Sequence, residues 1–171
     1  MEKNTCKGYI IRMATEKESD SIITLLKEVA QWLQKKEVNQ WQYLLGEEAT
    51  DEILEGIREK YTYVVMKEDE MVGTVTVSSK QNEWDKRIFG KEEVSNSLYI
   101  HRFAVKREYK GNGIGEWILR WIEENVQRDK EYLKLDCVQH NRTLNDFYKK
   151  SGFEYVGSTD GASKFQKKRE N

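Results

Sequence analysis

Three glycines, Gly111, Gly113 and Gly115, fall within five residues of "YKGNGIGEWILRWIEENV" (109–126) and run directly into an amphipathic segment. A glycine in a first helical turn costs roughly 1 kcal/mol relative to alanine, so a bare backbone there needs another reason. Helix beginnings expose unpaired N–H groups and carry about half a positive charge. Without a Cβ in the way, a phosphate can reach those groups, and Lys106, Arg107 and Lys110 add mobile positive charge around them. Two nucleotide motifs are excluded. The Walker lysine and hydroxyl are missing, because Gly115 is followed by Glu116 and Trp117, and the dinucleotide fingerprint has glutamate at 116 where its third glycine belongs. The alternative is a tight connection that holds no ligand.

The elements that must position this segment follow from hydrophobic period. Ile114, Trp117, Ile118, Trp121, Ile122 and Val126 fall on one helical stripe, which anchors the helix after the glycines. Upstream, "GYIIRMA" (8–14) reads as a strand, and Thr15 with Glu18 as a capping box. Ile22, Leu25, Leu26, Val29 and Leu33 then recur at helical spacing, and a second helix is expected over 47–60 with Ile53, Leu54 and Ile57 inward. "YTYVVMKEDEMVGTVTVSS" reads as a hairpin of 61–66 and 71–77, "QNEWDKRIFGKEEVSN" as an irregular loop, and "SLYIHRFAV" (97–105) as a strand. "EYLKLDCVQ" gives another strand, "NRTLNDFYKKSG" a helix from cap to terminator, and "FEYVG" with "SKFQKK" a last antiparallel pair. Antiparallel strands later interrupted by helices predict an α/β (α+β) fold with a mixed sheet and helices on its faces.

The 171 residues suit one domain spanning 1–171, with 37% hydrophobic and 35% charged residues. Lys plus Arg number 29 against 30 Asp plus Glu, which gives no broad electrostatic case for nucleic acid or an anionic membrane. The basic ending, Lys164 to Arg169, reads as a solvated edge or tail. Cys6 and Cys137 lie far apart without metal-ligand spacing, so no metal is expected and both read as free thiols of a reducing compartment. No apolar run has signal-peptide or membrane-span character, and a cytoplasmic protein is the expectation.

"FAVKREYKGNGIGEWIL" resembles the acyl-CoA-binding motif of the GNAT superfamily of N-acetyltransferases, with Lys110 at its Arg/Gln position and Gly113 and Gly115 at its glycines. "LDCVQHNRTLNDFYKKSGFEYVG" is similar to the family's second motif through Asn141, Tyr148, Gly152 and Phe153. The resemblance covers 97–157 through these motifs and the first 96 residues through element order only. It implies a mostly antiparallel sheet of about six to seven strands with about four helices, and acetyl-CoA as cofactor. The backbone of Phe103, Ala104 and Val105 would pair with the pantetheine arm. The amides of Gly111, Asn112, Gly113, Ile114 and Gly115 would hold the pyrophosphate, Asn141 would contact the cofactor arm, and Tyr148 would sit by the thioester sulfur. Two positions depart from the pattern: Lys110 replaces the usual Arg/Gln, and Leu144 stands where many members have alanine.

The chemistry implied is direct attack by a neutral amine on a thioester. An amine of pKa about 10.4 costs roughly 4–5 kcal/mol to deprotonate at pH 7, so a base or water chain must help. His101 and Asp136 lie on the two strands between which the acetyl group belongs; each has a structural alternative, packing for the histidine and pairing with a lysine for the aspartate. A departing thiolate resembles a thiol of pKa about 8.5, which Tyr148 could serve as donor. Trp32, Trp41 and Tyr43 either line a wall for an amine-bearing small molecule or pin the connection to the core. Trp84 reads equally as a lid or a clamp. Acetylation of a protein N-terminus or lysine, or acyl-CoA sensing without turnover, are the alternatives to a small-amine N-acetyltransferase. The oligomeric state, a homodimer included, stays open.

Overall fold

The computed structural model describes residues 4–36, 46 and 48–170. The chain divides into two compact units, Met1–Val77 with Arg102–Trp121, and Ser78–His101 with Ile122–Asn171.

The first unit begins with β1 (Thr5–Cys6) and β2 (Tyr9–Met13), followed by α1 (Ser19–Lys35), α2 (Glu48–Arg58), β3 (Thr62–Lys67) and β4 (Glu70–Ser78). The strands pair antiparallel in sequence order, with Ile11 opposite Val65 and Val64 opposite Thr74. The Thr15–Glu18 box is present: the Thr15 amide donates to Glu18 Oε1 at 2.9 Å and starts a 3-10 turn that leads into α1. Ile22, Leu25, Leu26, Val29, Ala30 and Leu33 of α1 pack with Ala49, Ile53 and Ile57 of α2 and with Ala104 in one apolar cluster. Leu54, expected inward, is only half-buried. It lies one residue, or about 100° of helix, off the row 49–53–57 that faces the core.

The second unit holds α3 (Glu83–Phe89), β6 (Tyr132–Val138), α5 (Arg142–Lys150), β7 (Glu154–Thr159) and β8 (Ala162–Lys168). β6 buries Leu133, Leu135 and Cys137 by strict alternation, which leaves Lys134 and Asp136 on its other face. β8 pairs antiparallel with both β6 and β7, with Leu135 opposite Phe165 and Tyr155 opposite Phe165. β5 (Ser97–Val105) and α4 (Ile114–Asn125) each run from one unit into the other.

Strand order is β1-β2-β3-β4-β5-β6-β8-β7. β5 and β6 pair in parallel over Ser97↔Tyr132, Leu98↔Leu133 and Tyr99↔Lys134, and β5 continues six residues beyond the last pair. The mixed, mostly antiparallel sheet agrees with expectation, but among the described residues eight strands and five helices exceed the six to seven and four anticipated. The additional helix is α3, in the segment read as an irregular loop. Asn82 caps it by accepting from the Asp85 amide at 2.7 Å, and Gly90 ends it. On α4, Trp117 is half-buried and Leu119 takes a buried place instead, at 4% exposure.

The basic ending is neither tail nor solvated edge. Lys164 to Lys168 belong to β8, and Arg169 is 7% exposed. Among the described residues no helix is long and apolar enough to cross a membrane.

Candidate active site

The glycine segment opens α4 as the sequence demands. After a 3-10 turn over Arg107–Tyr109, Gly111 and Gly113 adopt φ of +86° and +76°, a conformation that side-chain-bearing residues rarely take. A Cβ added at either would meet nothing within 4 Å, so the space in front of this backbone is open. The first helical bond is Trp117 N–H to the Gly113 carbonyl at 3.1 Å. The amides of Asn112, Gly113, Ile114 and Gly115 donate to no protein carbonyl among the described residues. Such a group of unpaired N–H donors at a helix start is an anion-binding surface. The residues therefore fit a diphosphate.

Beside this cradle, Lys110 places its Nζ 4.6 Å from the centroid of the Trp32 ring, and the Arg107 guanidinium lies 5.7 Å from it. Trp32 packs against the core cluster, and its indole Nε1 is buried without a hydrogen bond among the described residues. Trp32 and the two cations line a cleft of about 210 Å³ together with Glu28, Lys35 and Lys106. Trp41 and Tyr43 lie outside the described residues.

The second unit assembles a different constellation. His101 Nε2 lies 3.0 Å from Asp85 Oδ2, and the two side chains are 17% and 1% exposed. Asp85 is fixed by α3, since its Oδ2 also accepts the Asn82 amide at 3.1 Å. Asp136 Oδ2 accepts the Trp84 indole N–H at 3.1 Å. Burial pushes the Asp136 carboxyl up from its ordinary value and the Asp85 charge adds to this, against the Trp84 hydrogen bond and the attraction of His101. Burial, with the Asp136 charge, pushes the neighbouring Cys137 thiol up to about 12. Tyr148 sits among Phe147, Phe153 and Phe165, with ring centroids 5.3, 6.1 and 5.7 Å away. Its hydroxyl is shifted strongly upward by burial and then by Cys137 and Asp136, so it stays protonated.

A family model described as the acetyltransferase (GNAT) family matches residues 25–153. The chain belongs to that family. The uncharacterized N-acetyltransferase YesJ of Bacillus subtilis (strain 168) is 32% identical over 152 residues, covering 88% of this chain and 84% of that protein. The S-(2-succino)cysteine N-acetyltransferase of the same organism is 24% identical over 153 residues, covering 87% and 86%. In fold, the chain matches a GNAT acetyltransferase from Listeria monocytogenes 4b F2365 with a TM-score of 0.80 at 24% identity, over 96% of this chain and 98% of that one. As a GNAT protein it is an acyltransferase, and acetyl-CoA is the acetyl donor of its family.

Within this GNAT chain the residues singled out from sequence take distinct places. Asn141 caps α5, its side chain accepting the Leu144 amide at 3.2 Å. Among the described residues Asp136 hydrogen-bonds Trp84 and no lysine, so the Trp84 indole is tied to that carboxylate. Phe103 to Val105 form the end of β5, where the Lys106 amide still bonds the Val72 carbonyl of the neighbouring strand at 2.8 Å. Two residues escaped the sequence reading. Arg102 has φ +47°, a left-handed conformation inside a strand that costs about 1 kcal/mol. No sequence signal marks it. Asp85 was legible only as the third residue after Asn82, a cap signature hidden in an otherwise polar stretch.

Proposed function

We propose that this protein transfers an acetyl group from acetyl-CoA to the primary amine of a small molecule, with an S-substituted cysteine as the leading acceptor class. The observation that carries the reading is the row of unpartnered amides from Asn112 to Gly115, opening onto free space at the motif of an acetyltransferase family. The acceptor class is supported by the S-(2-succino)cysteine N-acetyltransferase relative. Acetyl-CoA supplies the acetyl group as an activated thioester.

In the first unit, the amides of residues 111–115 hold the diphosphate, with Lys106, Arg107 and Lys110 supplying the surrounding positive charge, and the backbone of Phe103 to Val105 aligns the pantetheine arm. In the second unit, Asn141 contacts the cofactor arm and His101 takes one proton from the ammonium, whose nitrogen then bonds to the acetyl carbon as the carbon–sulfur bond breaks and sheds a second proton to water as the amide forms. Tyr148 donates a hydrogen bond to the departing sulfur. Since burial makes that phenol a weaker acid than usual, it steadies the thiolate and the proton that completes the thiol comes from solvent. Trp32, packed on the core cluster, backs Lys110 and Arg107 at the diphosphate end of the site. Two unpaired cysteines, Cys6 and Cys137, suit work in a reducing cytoplasm.

A screen of primary amines for thiol release from acetyl-CoA tests the reading. Release with S-substituted cysteines and related α-amino acids supports it. Tight acetyl-CoA binding without release for any amine would make the protein a sensor instead.

A further inference from the structure

Asp85 is among the most enclosed polar residues of the second unit, and its place in the α3 capping box accounts for only part of its carboxylate: Oδ2 accepts the Asn82 amide at 3.1 Å and also faces His101. Its backbone amide already serves the Asn82 cap, and its Oδ1 is buried with no hydrogen bond among the described residues. A carboxylate at 1% exposure is costly unless a strong donor faces it. The charged and titratable groups around it are His101 and Tyr99 from β5 and Asp136 from β6. Lys164 of β8, directly opposite Asp136, donates its Nζ to the Ile88 carbonyl at 3.1 Å and so serves neither carboxylate in this structure. His101 is thus the one titratable side chain that hydrogen-bonds Asp85 among the described residues, at 3.0 Å.

A carboxylate only accepts hydrogen bonds, so the nitrogen facing it must carry a hydrogen, and in a neutral imidazole the other nitrogen then carries the lone pair. His101 Nδ1 has no protein partner among the described residues, and the side chain keeps 17% exposure. We infer that Asp85 is a positioning residue, holding His101 in the Nε2–H tautomer so that Nδ1 is the atom that takes the proton of the acceptor amine. The inference rests on the acetyl-transfer reading for its chemical use, not for its geometry. One N–H bond of the ammonium breaks and one forms at Nδ1. The resulting imidazolium faces the Asp85 carboxylate, and its proton passes to water before the next turnover. Asp136 is the less suited base, since Trp84 already occupies its Oδ2.

The test uses protein labelled with ¹⁵N-histidine; only two histidines, His101 and His140, contribute signals. Long-range ¹H–¹⁵N correlation of the free protein is expected to show His101 with a lone-pair Nδ1 and a protonated Nε2. In Asp85→Asn the amide can donate to Nε2, so the tautomer should reverse, and kcat should fall about 10²-fold while KM for acetyl-CoA stays within roughly twofold. Asn82→Ala removes the α3 cap but keeps the carboxylate, and it should retain the wild-type tautomer and kcat within about threefold. An Nδ1–H tautomer in wild type, or an unchanged tautomer and kcat in Asp85→Asn, overturns the inference. So does an equal loss of kcat in Asn82→Ala, which would reduce Asp85 to a helix cap. The tautomer is read without substrate, so a wild type that acetylates no amine would sink the acetyl-transfer reading while the dyad is still decided.

Discussion

The two ends of α4 solve the same physical problem in opposite ways. Every helix leaves amides unpaired at its start and carbonyls unpaired at its finish, and folded proteins satisfy nearly all such groups when they are buried. At the finish of α4, Arg169 comes from beyond β8 and donates to the carbonyls of Ile122 at 3.3 Å, Glu123 and Val126 at 2.6 Å, Gln127 at 2.8 Å and Lys130 at 3.3 Å. At the start, the amides from Asn112 to Gly115 meet no protein carbonyl among the described residues, and glycines keep the approach to them clear. One end is closed by the chain itself and the other is left for something the chain does not contain. A fold that places one of its last residues to satisfy one terminus makes the bare terminus informative. The comparison predicts that damage at the two ends differs in kind, stability being lost at one and binding at the other.

Arg169→Met should give the largest effect, leaving buried carbonyls without their charged donor and costing about 3 kcal/mol. For a chain of this size that lowers Tm by roughly 9 °C in a thermal melt, while the rise in Tm caused by acetyl-CoA should survive. Gly113→Asp should do the reverse. The rise of about 2.7 kcal/mol expected at a hundredfold excess over Kd should vanish. Gly113→Asn, with the same backbone strain and no charge, should keep part of it. Binding lost in Arg169→Met but kept in Gly113→Asp would break the comparison.

Tyr148→Phe removes one hydroxyl from a site that binds through other groups, so steady-state kinetics should show kcat lower by about tenfold with KM for acetyl-CoA little changed. The smallest effect belongs to an ordinary contact that sets the scale. Arg12 donates to Glu18 at 2.6 Å, and this hydrogen bond, with the Thr15 amide and the guanidinium charge, brings the Glu18 carboxyl from 4.5 to about 2. Because the folded carboxyl titrates below its unfolded value, the pair's contribution is whole above about pH 4.5 and fades as the pH falls towards about 2. Arg12→Met should therefore cost about 1 kcal/mol at pH 7, after solvent screening of the half-exposed arginine, and melts of the two proteins should converge across that acid window.

The same contrast explains what the sequence reveals. The cradle is legible because its causes are local: three glycines in five residues, then a helical stripe. The Thr15–Glu18 box is legible for the same reason. The His101–Asp85 pair is not, since its members are 16 residues apart and Asp85 sits in a seven-residue helix too short to show an apolar period. Arg169 looks like one more charge in a basic run, and only the meeting of β8 with the end of α4 makes it a buried donor. Tyr148 was legible by motif, whereas its aromatic enclosure depends on Phe165, 17 residues further along the chain.

The open end of α4 is tested most directly by an amide NMR titration with coenzyme A. The resonances of Asn112, Gly113, Ile114 and Gly115 should move further than any others as the diphosphate settles on them. Saturable binding that leaves those four in place while amides elsewhere shift would contradict the cradle and the function built on it.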